Sequence, residues 1–213
     1  MEEPLEAPPW AGQPMNRDTL KLTLALVALV GAGIAWLEDR PVPHLPGVLA
    51  PDEPRQTPPA DDRAWQHLGY EIRPRAQYAL RARVLSATRY RWDRGADLAP
   101  VDLAVGWGEM SDSALLERFE VTQGSRYFTL YPQDDGIDIG PALRHAANMH
   151  LIPATGEVRR AIESAREGTV FTLRGRLVDV RGLDGFTWQS SLRRDDTGAG
   201  ACELVWVDEF TAQ

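Results

Sequence analysis

The residues with the densest chemical potential form one run, Ser190-Ser191-Leu192-Arg193-Arg194-Asp195-Asp196-Thr197-Gly198-Ala199-Gly200-Ala201-Cys202-Glu203. Ser191 or Cys202 has the type of a nucleophile, an Asp can orient a base, and glycine-flanked backbone N–H groups can hold an oxyanion. Such a hydrolytic set needs a histidine brought in from elsewhere in the chain. The same residue types make a hairpin connection, because Asp, Thr and Gly are natural turn formers. A structural loop is the expected role. As a binding loop it would offer Arg193, Asp195, Asp196 and Thr197.

Two of the four histidines, His145 and His150, lie close together around Asn148. Either is a candidate acid or base. Their spacing of five differs from the four that aligns two metal ligands on one helix face, so no metal is expected. Cys202 is the single cysteine, which excludes an intramolecular disulfide and a Cys-rich zinc site. There is no phosphate loop, dinucleotide fingerprint or zinc-protease helix, and no cofactor is expected.

The stretch from Arg73 to Arg94 carries arginines among Tyr78, Tyr90 and Trp92. Arg81 and Arg83 alternate with apolar residues and could present a basic face to an anionic polymer. The chain as a whole carries a net charge of −8, which argues against a general nucleic-acid binder.

These residues need a scaffold, and 213 residues allow one ordinary domain with accessories. Leu22 to Leu37 is free of charge, and Lys21 and Trp36 suit its two interfaces. The sequence therefore predicts a disordered tail over 1–19, a transmembrane helix over 20–37, a Pro-rich linker over 38–65 and a soluble domain over 66–213. The linker reads as a semi-extended spacer with a reach of roughly 60 Å. Arg17 and Lys21 before the span outnumber Arg40 close after it, which places the C-terminal domain outside the cytoplasm. In a Gram-negative cell that means an inner-membrane protein with a periplasmic domain.

Period-two alternation predicts strands over Tyr78–Ser86 and Thr169–Val180, with further strands over Val101–Trp107, Arg126–Tyr131, Phe186–Leu192 and Glu203–Phe210. Helices are expected from Ser111 or Ser113 to Arg118, over Pro141–Asn148 and over Glu157–Arg166. Gly175, in mid-strand, suggests a bulge or sharp bend. The fold class that results is α+β and β-rich: a small curved, barrel-like (OB-like) domain with two or three short helices behind an N-terminal membrane helix.

Three runs resemble a group of uncharacterised bacterial, single-pass, envelope-associated membrane proteins: Val101-Asp-Leu-Ala-Val-Gly-Trp-Gly-Glu-Met-Ser-Asp112, Asn148-Met-His-Leu-Ile-Pro153, and Ser190 to Glu203. The resemblance implies a bacterial membrane protein and carries over no catalytic residue. The expectation is a non-enzymatic tethered domain that binds a partner protein or an envelope polymer. The rival is an envelope hydrolase using a histidine with the 190–203 loop.

Overall fold

The structure is a computed structural model. It describes residues 16–38, 40–193, 196, 198 and 200–213; of residues 32 and 34–38 it gives the helical backbone only. The chain divides into two units, Met1–Arg40 and Pro41–Gln213.

In the first unit, α1 spans Arg17–Glu38 and contains all of the expected 20–37 segment. Most of the expected tail lies outside the described residues, and Arg17 to Thr19, assigned to it, are helical. The described apolar side chains of α1, among them Leu22, Leu24, Leu26 and Leu29, are exposed. Among the described residues, no helix is long and apolar enough to cross a membrane.

The second unit is α+β and sheet-rich. Its elements in chain order are β1 (Arg55–Thr57), β2 (Trp65–His67), β3 (Tyr70–Arg89), β4 (Val101–Gly106), a 3-10 turn (Gly108–Ser111), α2 (Ser113–Leu116), β5 (Phe119–Gly124) and β6 (Tyr127–Pro132). Then follow α3 (Ile139–Arg144), β7 (Ala146–Pro153), α4 (Gly156–Glu163), β8 (Val170–Gly182), β9 (Thr187–Gln189) and β10 (Glu203–Ala212).

Five strands close on themselves. β3 pairs antiparallel with β4, β4 with β7, β10 with β8, and β8 with β3, while β7 and β10 pair in parallel. Closure removes the open edges that would otherwise invite pairing with other chains. β3 serves both ends of the ring: Tyr70–Arg83 faces β8 and Arg83–Arg89 faces β4. Register shifts at Pro74/Ala76 and Val84/Ser86 provide the bending that such sharing needs. Pro74 sits at one of them, where a strand tolerates a missing N–H.

Ala76, Tyr78, Leu80, Ala82 and Val84 alternate inward and meet Leu103, Met149, Phe171, Leu173 and Val207 in the main core, with Val158 and Ile162 of α4 packed into it. Outside the ring, Leu85, Ala104 and Met110 pack with Phe119 and Leu130 of the β5–β6 hairpin and Ala142 of α3. β4 is thus covered on both faces, and all six of its residues are buried. Gly175 is required by close approach. A Cβ there would collide with the Trp206 carbonyl oxygen, and the register shift expected at this glycine lies instead on the partner strand, between Val207 and Glu209.

Several sequence expectations are corrected. The helix expected over Pro141–Asn148 ends at Arg144, and residues from Ala146 onward are strand. Strand β7 is buried at every residue, so burial in the sheet overrides the helix propensity of its two alanines. The helix expected near Ser111 is capped by Asp112, whose carboxylate accepts from the Ala114 N–H.

The spacer reading is corrected too. From Pro41 onward the proline-rich run is strapped to the ring. Val42 donates its N–H to the Glu167 carbonyl at 2.8 Å, and His44 Nε2 lies 2.7 Å from the Gly168 carbonyl oxygen. The Leu49 and Ala50 N–H groups both donate to Ser111 Oγ, at 3.1 and 3.0 Å, and Ala50 is fully buried. β1 then pairs with β3. Prolines hold this run extended without internal hydrogen bonds, which leaves its remaining N–H groups for distant partners.

Candidate functional site

Strand alternation sends Met149 and Leu151 of β7 into the core, so Asn148 and His150 project from the outer face of the ring. The β4–β7 register sets Asp102 directly opposite His150. Both are almost wholly buried. His150 Nδ1 lies 2.9 Å from Asp102 Oδ2, although the pair is not aligned as a hydrogen bond. A lone pair facing a carboxylate would be repelled, so the Asp102 carboxylate favours a proton on Nδ1.

Arg126 caps this pair from the tip of the β5–β6 hairpin. Ser125 and Arg126 form a two-residue turn with φ of 50° and 68°. Positive φ at both positions is the geometry of a type I′ hairpin, usually occupied by Asn or Gly. Non-glycine residues there cost about 1–2 kcal/mol each, so the surroundings must hold the turn. Arg126 Nη1 donates to Asp102 Oδ1 (2.7 Å) and to the Ala99 carbonyl (2.9 Å), while Nε and Nη2 grip Asp93 (2.8 and 2.7 Å). Its guanidinium lies 3.8 Å from the centroid of the Tyr90 ring. Its backbone N–H donates to Tyr90 Oη, and its carbonyl accepts from Asn148 Nδ2.

The charges follow from these contacts. The hydrogen bond from Arg126 is the main reason the Asp93 carboxyl is held below its ordinary pKa. Burial opposes the charge on Arg126, but Asp93 and Asp102 outweigh it and raise the guanidinium above its usual value.

Two adjoining cavities open beside the cluster. One of about 420 Å³ is lined by Trp107, Phe128, Leu143, Asn148, Asp196 and Glu203. The other, about 430 Å³, is lined by Arg126, His150, Thr187, Trp188 and Gln189. Tyr127, Gly198 and Cys202 line both, which makes them one cleft with a shared wall. Each half has the size of a small-molecule site, about 300–1,000 Å³. Tyr127 beside the hairpin tip, Trp188 and Gln189 of β9, and Asp196, Gly198 and Cys202 line its sides, and Asn148 and His150 of β7 line its floor.

The structure brings only some of the sequence candidates together. His150, Cys202, Arg193 and Asp196 line the cleft. Ser191 is buried in the loop itself: it donates to Asp196 Oδ2 at 2.6 Å and accepts from the Arg193 N–H at 3.0 Å. Its own N–H donates to the Cys202 carbonyl, which closes the loop. Burial pushes the Cys202 thiol up to about 11, the opposite of an activated nucleophile. His145 lies apart, with Nδ1 3.0 Å from the Pro141 carbonyl oxygen. Asp195 and Thr197 fall outside the described residues. Among the described residues, no histidine nitrogen bonds Ser191 or Cys202, and no group of three or more His, Cys, Asp or Glu could hold a metal.

The basic-face candidates are corrected. Arg83 is buried and donates to Ser113 Oγ (2.8 Å) and the Ser111 carbonyl (3.3 Å). Arg81 donates to the Leu49 carbonyl and to Gln213 Oε1. Both tie the strap, its anchoring turn and the chain end to β3 rather than facing solvent as a pair.

Sequence reasoning missed Asp102 and Arg126; it reads Trp188 as a core or barrel-mouth residue rather than a ligand stacker, and Trp188 lines the cleft. Asp102 had a signal, a lone acid inside the apolar run Val-Asp-Leu-Ala-Val. Arg126 had none, because a Ser-Arg pair is not a recognisable type I′ turn. No protein-family model, curated protein or solved structure matches this chain.

Proposed function

We propose that this chain is a membrane-tethered binding protein whose cleft takes a segment of an envelope polymer. The carrying observation is the cleft: adjoining aromatic-walled cavities on the outer face of β7, with convergent polar groups, a Ser191 hydroxyl bonded within its own loop and a Cys202 thiol pushed up by burial. An OB-type fold supports this reading. Around the ring the strands run β3-β4-β7-β10-β8, with β7 and β10 parallel and α4 between β7 and β8. Domains of that type bind oligonucleotides and oligosaccharides on the face of their second and third strands and the adjoining loops. Here those strands are β4 and β7, and the cleft lies there.

The tether is α1, in a bacterial inner membrane, with the domain on the periplasmic side. Its support is the uncharged Leu22–Leu37 run and the exposed apolar side chains described for the helix. Its 22 residues make a helix of about 33 Å, while its described residues by themselves do not make a long enough apolar run for a span. The envelope-associated group that the chain resembles agrees with this placement.

Three measurements test the proposal. The full chain should float with phosphatidylethanolamine–phosphatidylglycerol vesicles, and the double variant Leu26→Arg, Val30→Arg should not. Wild-type protein left unbound would overturn the tether. In cells, a photo-crosslinking amino acid at Tyr127 should capture envelope polymer, and one at Leu183, which is 98% exposed on a distant turn, should not. Equal capture at both positions would overturn the cleft as the binding site. A reporter fused after Gln213 that is active only in the cytoplasm would overturn the periplasmic orientation.

A further inference from the structure

The charges and hydrogen-bonding groups at the cleft narrow the polymer. We propose that it is an uncharged glycan segment, with a sugar ring face against Tyr127 and a hydroxyl hydrogen-bonded to His150. The inference rests on the binding reading above.

A polyanion does not fit. Among the described residues, the charged side chains of the lining are Arg126 and Arg193 against Asp196 and Glu203, with Asp102 behind His150, so the cleft offers no net positive charge to a polyanion. Arg126 has its fork committed to Asp93, Asp102 and the Ala99 carbonyl, which leaves it no bidentate grip for a phosphate or sulfate.

An uncharged polyol fits each remaining feature. Tyr127 is the wall common to both halves of the cleft and is 58% exposed. The strained Ser125–Arg126 turn beside it is held by the Arg126 contacts, so the backbone that carries the ring is placed before any ligand arrives. A flat, amphipathic ring of this kind covers the C–H face of a sugar and leaves the hydroxyls at its edge free. Gln189 and Thr187 stand on the same wall as His150 and supply donors and acceptors for hydroxyls. His150 is almost wholly buried, with Nδ1 enclosed against Asp102. It lines the cavity beside Trp188, whose ring centroid is 4.6 Å from its own, and offers a ring nitrogen to a hydroxyl there.

The test uses the full chain in a detergent without a sugar headgroup. It is labelled with 15N-histidine and titrated with a soluble N-acetylglucosamine tetramer, a maltose-series tetramer, a heparin fragment and a neutral octapeptide. The expected result is saturable binding of a neutral tetramer that shifts the His150 ring-nitrogen resonances, with little response to heparin or the peptide. Tyr127→Ala, at an exposed position that leaves the fold intact, should weaken that binding at least about 10-fold, as loss of a single aromatic anchor does. Tyr127→Trp should restore it, and His150→Phe should weaken it comparably. Heparin or the peptide binding in preference, or sugar binding indifferent to Tyr127→Ala, overturns the inference. If no sugar binds while Tyr127 still crosslinks to envelope polymer in cells, the glycan inference falls and the binding reading stands. If both fail, both fall.

Discussion

Replacing Arg126 tests whether one side chain holds the rim of the cleft. In Arg126→Met the aliphatic stem is largely kept and the guanidinium is lost. Asp102 is fully buried, and its Oδ1 loses a charged partner at 2.7 Å. Breaking one partner out of a buried ion pair costs about 3–5 kcal/mol, because the remaining charge is left uncompensated. Arg126→Gly loses the same contacts but relieves the positive φ of 68°, worth about 1–2 kcal/mol. It should therefore lose roughly 1–4 kcal/mol and be the milder variant, despite deleting more atoms. Ser125→Gly, which relieves strain and breaks no side-chain bond, should lie near or slightly above wild type.

The assay is urea unfolding of the full chain followed by tryptophan fluorescence. A pH series adds a second readout. Asp93 is held below its ordinary pKa chiefly by the Arg126 hydrogen bond, so its stabilising share is complete above the ordinary value and is lost as pH falls through the depressed one. The gap between wild type and Arg126→Met should narrow in that acid range. A loss under about 1 kcal/mol in Arg126→Met, or Arg126→Gly falling below Arg126→Met, would refute the lock.

Three further outcomes follow from other parts of the fold. Ser111→Ala leaves the buried Leu49 and Ala50 N–H groups without their acceptor, at about 1–3 kcal/mol, and should speed amide exchange over residues 47–50 before any other segment. Gly175→Ala drives a methyl group into the Trp206 carbonyl and should abolish or severely weaken cooperative unfolding, whereas Gly185→Ala, in an open turn, should cost far less. Cys202, with its thiol pushed up to about 11 by burial, should alkylate about 100-fold more slowly at pH 8 than an unfolded thiol near 9. The same shift gives a sign for stability: the folded state keeps a proton that the unfolded state releases, so stability falls as pH rises from about 9 through about 11.

Much of the scaffold is written in local pattern. The alternation of Phe171, Leu173 and Leu177 gives β8. The Thr155 cap and the face shared by Val158 and Ile162 give α4. Where the reading stopped short, a local signal competed with a distant partner. Pro74 hides the first half of β3, because the register shift that accommodates it belongs to the pairing with β8. The prolines after residue 40 read as a spacer because nothing nearby shows that Ser111, Gly168 and Arg81 will take up their backbone groups. In the site, His150 and Cys202 are legible as residue types. Their meaning depends on Asp102, Arg126 and Trp188, which only strand register and a hairpin tip bring alongside.

Asp102 also bears on what the cleft is for. A charged residue in the wall of a small barrel is costly to bury, and apolar groups of similar size often serve stability as well or better. The β4 segment around it is otherwise apolar and buried on both faces, so packing alone gives no reason for a carboxylate at that position. What the carboxylate does is fix two neighbours: it takes one arm of Arg126, which holds the hairpin tip, and it faces Nδ1 of His150 at 2.9 Å. Both effects point into the same cleft. A hydrolase would use such an Asp–His pair to activate a nucleophile, but the hydroxyl of Ser191 is bonded within its own loop and the thiol of Cys202 is held protonated. On the binding reading proposed above, the same pair instead holds His150 in place in the floor of the cleft, with the exposed Tyr127 ring on its wall.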